Sequence, residues 1–439
     1  MKCTLMIAGI IACLVVCQGQ GLAQIYNQTC QSAEYARMLN RNAATDATDI
    51  IVYNPAGLTD LSEGLHLNVS NQVWFRRPNH TFSDPLGGMD LKYEQKATDW
   101  FVPNLHAACK KEDWALFGSI YIPGGGAAID YPHGSFSTRA LGAEIIGPDG
   151  PAYLYYRGLD SERIEASSLY LAASIGGAYK LSEKVSVALG IRTITVRNRI
   201  KGGLVLTDGF FGPLTPDVPL EVSVKEADTG WGLVAGIQLR LNEDLNAALH
   251  YESPVRLNLK TDIGSSDTIS EEAGLFSDGQ RNRRDFPPMI GIGVSYRFSP
   301  EIRAELDFNY WFQEASNWGR TPEGRKISDL AGDSFSFGAA AAYKVLPRLE
   351  ISAGLLYTIY AWNDLDAYYN ANLGAVEVFY SDDLMIGLGF AYEIKSKVKL
   401  NFGTGYIIYK DETIETAIGE VDIENTSSFA LALGLDYGF

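Results

Sequence analysis

The chain has 439 residues and a formal net charge of −17, with 36 Lys and Arg against 53 Asp and Glu. Its 46% hydrophobic content comes with 44 Gly, 24 Tyr and 19 Phe, and its mean hydropathy is −0.05. This composition excludes a disordered polyanion and a bundle of membrane helices, because the only long apolar run lies at the N-terminus. The acidic balance argues against nucleic acid as a partner.

Residues 1–23 have the pattern of a secretory signal peptide, with a charged start, an apolar core and a small-residue cleavage site. Lys2 precedes an apolar run of thirteen residues, Leu5 to Cys17, and the cleavage site is Gly21-Leu22-Ala23. A retained membrane anchor is the alternative, but a spanning helix needs roughly 20 apolar residues. We therefore expect Gln24 to begin the mature chain.

Two cysteines follow this segment, Cys30 and Cys109. Export into an oxidising compartment permits a disulfide between them. The sequence does not require this disulfide, so both the bridged and the free form of the two cysteines remain alternatives.

Residues 24–63 lack a strand pattern and carry short polar side chains among small residues. The Asn and Asp positions are Asn27, Asn40, Asn42, Asp46, Asp49 and Asn54. Side chains of this kind favour turns and a compact, hydrogen-bonded segment over a lipid-facing strand. A disordered tail is the alternative.

From residue 64 onward, apolar residues alternate with mostly polar ones, which is the period of a strand with one apolar face. The first run contains Leu65, Leu67 and Val69, and the last contains Leu433 and Leu435. Fourteen strands are predicted, within residues 65–75, 91–109, 114–122, 169–175, 185–191, 231–239, 245–251, 290–298, 306–312, 335–343, 349–357, 384–392, 398–406 and 429–439.

The connections between these strands alternate strictly between short and long. Six are tight polar turns, and seven are long, at about 78–90, 124–162, 199–217, 260–285, 314–332, 362–382 and 411–426. An even number of antiparallel strands with short turns at one end and long loops at the other is typical of an outer-membrane barrel. A soluble β-sandwich would give its loops no reason to sort by length.

We therefore predict an all-β fold, a 14-stranded antiparallel transmembrane β-barrel over residues 64–439. Side chains cannot fill the lumen of a barrel this wide, so we interpret residues 24–63 as an N-terminal plug, or hatch, inside it. Tyrosines stand near the short-turn ends of strands, as in an interfacial girdle: Tyr179, Tyr251, Tyr296, Tyr343, Tyr392 and Tyr437. The C-terminal Phe439 resembles the assembly signal of bacterial outer-membrane barrels, which implies the barrel assembly machinery and outer-membrane lipid as partners.

Three stretches carry a family resemblance. They are Asn42–Asp49 leading into Asn54-Pro55-Ala56-Gly57, the run Tyr251–Val255, and the run Phe286–Ile290. Together with the strand count they resemble the long-chain fatty-acid transporter family of outer-membrane proteins (FadL/TodX-like, OMPP1). The resemblance implies passive uptake of hydrophobic compounds such as long-chain fatty acids or aromatic hydrocarbons. The steps would be capture at the outer loops, binding in the lumen, movement of the plug and lateral exit into the bilayer.

Two long loops carry apolar clusters suited to capturing such a ligand. The loop at 199–217 contains Leu204, Val205, Leu206, Phe210, Phe211 and Leu214, and the loop at 124–162 contains Ile145, Ile146, Tyr153, Leu154, Tyr155 and Tyr156. Exposed apolar clusters usually mark binding surfaces. The loops could equally pack on each other as a lid, and both interpretations can hold together.

The lateral gate is predicted at Pro123, Gly124, Gly125 and Gly126, because proline removes a ladder donor and glycine weakens a strand. In the family that the chain resembles, the third strand carries the kink that opens the wall. The alternative is an ordinary strand end that enters a long loop.

A carboxylate ligand would need a cation in the apolar lumen. The resemblance places Arg197 there, with Arg199 nearby, whereas strand parity points Arg192 to the lumen and Arg197 to the lipid, a disagreement that a bulge could reconcile. His250 and Arg256 share the predicted lumen phase of their strand. A solvated lumen wall is the alternative for these residues.

Other functions fit less well. A general diffusion porin for small polar solutes is the main alternative, but it needs an open lumen. An outer-membrane lipid hydrolase is disfavoured, because the five histidines lie far apart and no serine or carboxylate motif accompanies them. A TonB-driven transporter needs about 22 strands. We assign no catalytic residue, no metal site and no cofactor.

Overall fold

The computed structural model describes residues 32–148, 150, 152–264, 277–372 and 374–438. The predicted signal peptide, Cys30 and Phe439 lie outside these residues, so the cleavage site, the disulfide and the role of the terminal aromatic remain predictions. Cys109 is exposed. No helix within the described residues is long and apolar enough to cross a membrane.

Strands dominate the described residues. In chain order they are β1 (Gly64–Arg76), β2 (Asn79–Ser83), β3 (Asp90–Glu94), β4 (Thr98–Lys111), β5 (Trp114–Tyr131), β6 (Gly158–Ser182), β7 (Val185–Thr207), β8 (Val218–Arg240), β9 (Leu245–Glu252), β10 (Asn258–Ile263), β11 (Arg281–Arg283), β12 (Met289–Arg297), β13 (Ile302–Trp311), β14 (Ser334–Leu346), β15 (Leu349–Tyr360), β16 (Asp383–Lys395), β17 (Val398–Tyr409), β18 (Glu412–Thr416), β19 (Gly419–Ile423) and β20 (Ser427–Gly438).

Fourteen of these strands form one closed antiparallel ring. Each pairs with its neighbours in chain order, β8 pairs with β9, and β1 pairs with β20 to close the ring. The ring contains all the strands except β2, β3, β10, β11, β18 and β19. The predicted 14-stranded barrel is therefore confirmed.

The six remaining strands belong to the outer end. The hairpins β2–β3 and β18–β19 join edge to edge into a separate four-stranded sheet. β10 and β11 continue β9 and β12 beyond a break, which is bridged only by the isolated pair Val255 and Phe286. Pro254 lies next to this bridge on one strand and Pro287 on the other, and proline cannot donate to a ladder.

Two long connections are shorter than predicted. β5 and β6 reduce the loop expected at 124–162 to residues 132–157, and β7 and β8 reduce the loop expected at 199–217 to residues 208–217. β6, β7 and β8 have 25, 23 and 23 residues. A barrel strand crosses the bilayer in about 9–11 residues, so the outer halves of these strands stand beyond the membrane.

Short helices occupy the lumen and the outer loops. Those in the lumen are α1 (Ala33–Met38), α2 (Ile50–Tyr53) and a 3-10 turn over Pro55–Asp60; those in the loops are α3 (Phe136–Ile146), α4 (Ile327–Ala331) and α5 (Leu365–Ala371), with 3-10 turns at Gly212–Leu214 and Val376–Val378.

The outward faces of the strands carry exposed apolar side chains. The predicted tyrosine girdle is present at the short turns, with five exposed rings, Tyr179, Tyr296, Tyr343, Tyr392 and Tyr437. Tyr251 is also exposed, but it lies at the end of β9 away from the short turn, so its predicted place in the girdle is wrong.

Candidate functional site

Residues 32–61 lie inside the ring and contact strands on all sides. Asn54 begins the 3-10 turn, where its side chain accepts from the Ala56 N–H (3.3 Å) and donates to Gln238 Oε1 on β8 (2.7 Å). A Cβ on Gly57 would lie 2.7 Å from the Ala44 carbonyl oxygen. The motif Asn54-Pro55-Ala56-Gly57 therefore forms a tight turn and anchors it to the wall.

Buried ion pairs hold this segment together. The guanidinium of Arg41, fully buried, contacts Asp49 at 2.7 Å and Asp46 at 2.8 Å. Arg303 on β13 reaches Asp46 at 2.6 Å. Burial favours the neutral acid, but Arg303 and Arg41 hold the pKa of Asp46 well below its usual range. Arg37 makes a second link to the wall, to Glu350 on β15 at 2.8 Å.

The wall accommodates this segment with glycines on its lumen face. A Cβ atom added to any of these glycines would lie 3.0 Å or less from an atom of the inner segment. On Gly354 it would lie 1.9 Å from the Met38 carbonyl oxygen. These seat glycines are Gly236, Gly291, Gly293, Gly338, Gly354, Gly387, Gly389, Gly403 and Gly434. At Gly293, Gly354, Gly387 and Gly403 the nearest atom of the inner segment belongs to its main chain, so little room remains between segment and wall.

Above the inner segment, one apolar cluster extends through the lumen. It joins Val52 and Tyr53 of α2 to wall residues such as Tyr170 and Phe286, and continues to the helices and hairpins of the outer loops. Its members in the loops are Phe82, Trp318, Ile327, Leu330, Tyr368, Tyr369, Val376, Phe379, Ile414, Val421 and Ile423. The outer half of the lumen is therefore lined by aromatic and aliphatic side chains.

The wall is interrupted between β4 and β5. Their pairing runs from the short turn up to Leu105 and Ile120, and it stops there. In the same register the next positions would place Pro103 opposite Ile122 and Val102 opposite Pro123, so prolines stand on both sides. A proline lacks the N–H that a ladder needs. This opening, between residues 99–104 of β4 and 121–127 of β5, is called the wall gap below.

Hydrogen bonds close the wall gap at its outer end. The Ala128 N–H donates to Asp99 Oδ1 (2.8 Å), and the Lys96 N–H donates to the Asp130 carbonyl oxygen (3.0 Å). Tyr121 and Ile122 are buried on the lumen side, whereas Trp100 and Phe101 are exposed on the outside. The gap is thus a window bounded above and below by paired backbone.

The four residues predicted as a gate lie on one edge of this window. β5 does not end at Pro123 but continues to Tyr131, so the alternative of an ordinary strand end is wrong. Its register against β6 shifts between Tyr121 and Gly124 and again between Gly125 and Ala127. The strand is irregular at the positions where Pro123 and the three glycines predicted a break or bend.

Arg192 points into the lumen, as parity predicted, and its side chain is 1% exposed. It reaches across Gly232, its neighbour on β8, to form an ion pair with Glu252 on β9. His250 Nε2 lies 3.2 Å from the other oxygen of that carboxylate. The Phe286 ring covers the guanidinium, with its centroid 5.3 Å away. Among the described residues, Arg192 Nε and Nη2 have no hydrogen-bond partner.

Arg197 and Arg199 lie on the outward face of β7 and are exposed. The ladder between β7 and β8 is regular over this stretch, so no bulge turns them inward. The lumen phase predicted for Arg256 is wrong: Glu252 and Val255 are both buried and Arg256 is exposed. The break at Pro254 shifts the alternation by one residue. Of the predicted cations, the structure brings together only Arg192 and His250.

The two apolar loop clusters pack together in part. Ile145, Ile146 and Tyr156 form a buried cluster with Leu204 and Leu206, which lie on β7 and not in a loop. Other apolar side chains remain exposed at the tips; these are Tyr153, Leu154, Phe210, Phe211 and Leu214, the last 82% exposed. The buried residues therefore pack as a lid, and the residues at the tips form an exposed apolar surface.

A groove of about 690 Å³ lies beside this cluster, between the outer ends of β6, β7 and β8. Leu159, Leu204 and Leu220 are among its apolar lining residues, and Glu162 and Arg163 are among its polar ones. Its size is that of a pocket for a small organic ligand.

Sequence reasoning missed two residues of this site. Glu252 lies inside the run Tyr251–Val255 and shares the strand phase of His250, so the alternation along β9 already indicated that its side chain faces the lumen. Pro103 was visible as a proline inside a predicted strand, which marks an edge or a break. Within the described residues, no cluster of three or more His, Cys, Asp or Glu side chains could hold a metal ion.

Comparison with known proteins places this architecture among related chains. The family model for outer membrane protein transport proteins (OMPP1/FadL/TodX) matches residues 164–439. None of the curated proteins compared with the sequence matches it.

Solved structures share the fold at low identity. A FadL homologue from Pseudomonas aeruginosa is 14% identical, with a TM-score of 0.64, over 95% of this chain and 100% of that one. The toluene transporter TodX from Pseudomonas putida is 13% identical, with a TM-score of 0.62 and the same coverage. The toluene transporter TbuX from Ralstonia pickettii is 11% identical, with a TM-score of 0.57, over 94% and 100%.

Proposed function

The chain belongs to the OMPP1/FadL/TodX family of outer membrane transport proteins, and from that premise we propose that it takes up hydrophobic compounds passively across the outer membrane. The observation that carries this proposal is the apolar cluster of the lumen, which extends from the outer hairpins to α2. An aqueous channel needs a polar lining, whereas an apolar solute gains free energy from aromatic and aliphatic contacts. A general porin is disfavoured for the same reason.

Capture would occur at the exposed apolar tips and the neighbouring groove. Phe210 and Phe211 pack edge to face, with centroids 5.2 Å apart, and the Arg157 guanidinium covers Phe210 at 4.8 Å. Exposed aromatic surface of this kind binds apolar ligands, since it already lacks favourable hydration. The groove lined by Leu204 and Leu220 would receive the ligand next.

Exit would occur sideways through the wall gap. Tyr121 and Ile122 line the gap on the lumen side, and Trp100 and Phe101 flank it on the lipid side. An apolar ligand that leaves here enters hydrocarbon directly and avoids the polar base of the lumen, where Arg37, Arg41 and their carboxylate partners lie. The plug would block the straight path, because its backbone rests on the seat glycines.

The cargo would be an uncharged compound. Glu252 already neutralises Arg192, so a fatty-acid carboxylate would add an unbalanced negative charge beside Glu252 in an apolar lumen. Two of the structures with this fold are described as toluene transporters, which supports an aromatic hydrocarbon. The same packed, apolar lumen gives no support to an enzyme, and outer-membrane lipid would receive the released ligand.

Sealing the wall gap tests the proposal. The double substitution Pro103→Val and Pro123→Val restores two backbone donors and two β-branched residues, which should extend the ladder between β4 and β5. Uptake of propylbenzene into proteoliposomes should fall at least about tenfold, because the new hydrogen bonds between β4 and β5 would close the gap through which the ligand leaves.

Pro322→Val, on an exposed loop tip, is the matched control and should leave uptake unchanged. Normal uptake by the double variant would show that the ligand does not leave through the gap. Failure of the parent protein to take up propylbenzene above the rate of empty vesicles would overturn the uptake function itself.

A further inference from the structure

The outward face of the barrel changes character along β6, β7 and β8. Near the short turns it carries exposed apolar side chains such as Leu189, Ile191 and Leu233. Thr195 and Thr229 then face each other, with their hydroxyl oxygens 3.1 Å apart. Beyond these threonines, charged side chains such as Arg197, Arg199 and Lys225 appear among small and polar outward residues. The apolar band below has the ten or so residues of one bilayer crossing, so the threonines mark the outer edge of the hydrocarbon.

A cluster of basic side chains lies at this edge and just beyond it. It consists of Arg197, Arg199, Lys225, Arg256, Lys260 and Arg281, all exposed, and is called the basic patch. At about 3.3 Å per residue and a strand tilt near 40°, Arg197 and Arg199 stand within roughly 10 Å of the threonines, at the level of lipid headgroups.

Strand register sets like charges opposite each other within the basic patch. Arg199 on β7 faces Lys225 on β8, and Lys260 on β10 faces Arg281 on β11. Ala227, between Arg197 and Lys260, is too small to separate them. Like charges directly opposite on a sheet destabilise it, so the patch has a cost in the free protein.

Among the described residues, few carboxylates face the basic patch. Asp262 faces Lys225 in register, but within the described residues none of the six basic groups forms an ion pair. The excess of positive charge stands out against a chain with net charge −17. Arginine and lysine in this spacing fit phosphate oxygens, which accept several charge-assisted hydrogen bonds at once.

The basic patch is confined to one side of the barrel. On the opposite strands the outward positions near the outer end are aromatic, among them Tyr310, Phe335, Tyr357, Tyr406 and Phe429. Aromatic rings suit any membrane interface, whereas a cationic patch selects for anionic headgroups. A general preference for the membrane surface therefore does not account for it.

From this placement we propose that the basic patch binds the phosphate groups of an anionic lipid in the outer leaflet. The lipid needs at least two phosphates, one for the Arg199–Lys225 pair and one for the Lys260–Arg281 pair. This binding fixes one side of the barrel at the membrane surface, and it gives Arg197, Arg199 and Arg256 a role outside the lumen.

The test compares lipids that differ in phosphate. The protein is reconstituted in phosphatidylcholine nanodiscs containing bisphosphorylated lipid A or its monophosphorylated form, and retained lipid is measured by native mass spectrometry. A third arm adds inorganic phosphate to plain phosphatidylcholine discs. We expect retention of the bisphosphorylated lipid at least about tenfold above the monophosphorylated one.

The variant Arg199→Gln with Lys225→Gln should lose this retention about tenfold. In plain discs this variant should unfold at the same temperature as the parent or at a higher one, because a like-charge pair is gone. Lipid A should raise its unfolding temperature less than it raises that of the parent. Lys344→Gln with Lys397→Gln, exposed residues near the short turns, is the matched control. Equal retention by variant and parent, or equal stabilisation by inorganic phosphate and lipid A, would overturn the proposal.

Discussion

At the scale of single residues, Glu252 controls the charge that the outer lumen presents to a ligand. Its carboxylate holds Arg192 on one oxygen and lies beside His250 on the other. An ion pair buried this deeply keeps its net charge near zero, because an unpaired charge in an apolar environment is costly.

Glu252→Gln should therefore change the selectivity of the lumen. The substitution removes the negative charge and leaves Arg192 available to a carboxylate, so affinity for 3-phenylpropionate should rise at least about tenfold relative to propylbenzene. Competition binding in detergent with both probes measures this ratio.

Glu226→Gln is the control for that variant. Glu226 is also buried on the lumen face, but it accepts from Asn198 and Asn282 and not from arginine. The same shift in both variants, or none in either, would mean that Glu252 does not set the selectivity.

His80 is expected to make the outer sheet sensitive to pH. It is fully buried on β2 and accepts at Nε2 from the Phe136 N–H at the start of α3 (2.9 Å). Burial lowers the pKa of His80 to about 4, with Glu377 opposing part of the shift. A protonated Nε2 cannot accept this bond.

Lowering the pH should therefore loosen the contact between α3 and the outer sheet. Between the ordinary histidine pKa near 6.5 and about 4, the opened loop binds a proton that the closed loop does not. The free energy that keeps the loop closed should therefore be about 2 kcal/mol smaller at pH 5 than at pH 7.

Hydrogen exchange of residues 77–95 at pH 7 and pH 5, corrected for intrinsic rates, measures this change. In the variant His80→Gln, the protection of these residues should no longer depend on pH. His133 is exposed, so the control variant His133→Gln should keep the pH dependence. Protection that is independent of pH in the parent would contradict the role of His80.

At the scale of elements, the inner segment and the wall fit backbone to backbone. Gly354 on β15 lies under the Met38 carbonyl oxygen at the end of α1. A methyl group there would lie 1.9 Å from that oxygen, which is far below contact distance. The oxygen belongs to the main chain, so it cannot move aside as a side chain would.

Gly354→Ala should displace α1 and open the base of the lumen. We expect higher single-channel conductance in planar bilayers and a loss of about 1–3 kcal/mol in the stability of the inner segment. Gly118→Ala is the matched control, since its Cβ would lie 3.6 Å from the Ser174 carbonyl oxygen, an ordinary contact. If the two variants conduct alike, residues 32–61 do not close the lumen.

The sequence predicted the strands well because the lipid-facing residues of each strand alternate with lumen-facing ones. It predicted the outer ends of β6 to β8 poorly, because charged residues such as Arg197 and Arg199 replace apolar ones beyond the lipid and the contrast is lost. Arg256 was misplaced for a local reason, the shift of phase at Pro254. The pairing of Arg192 with Glu252 joins residues sixty positions apart in the sequence, which alternation along the chain cannot reveal.

At the scale of the whole molecule, the short turns and the long loops lie at opposite ends of the barrel. Glu183 lies in a short turn, and Glu323 lies at an exposed loop tip at the other end. With Cys30 and Cys109 replaced by serine, Glu323→Cys should react with an impermeant maleimide on intact cells, and Glu183→Cys should react only after lysis. Equal labelling on intact cells would contradict this orientation.

The length of β6 to β8 sets the height of the proposed capture surface above the membrane. From Thr195 to the end of β7 at Thr207 the strand rises roughly 30 Å, at about 3.3 Å per residue and a tilt near 40°. The exposed rings of Phe210 and Phe211 therefore stand well above the bilayer, out of reach of molecules dissolved in the outer leaflet. Supply then depends on encounters in the surrounding water, and the rate of loading should follow the dissolved concentration of the compound and not the amount stored in the membrane.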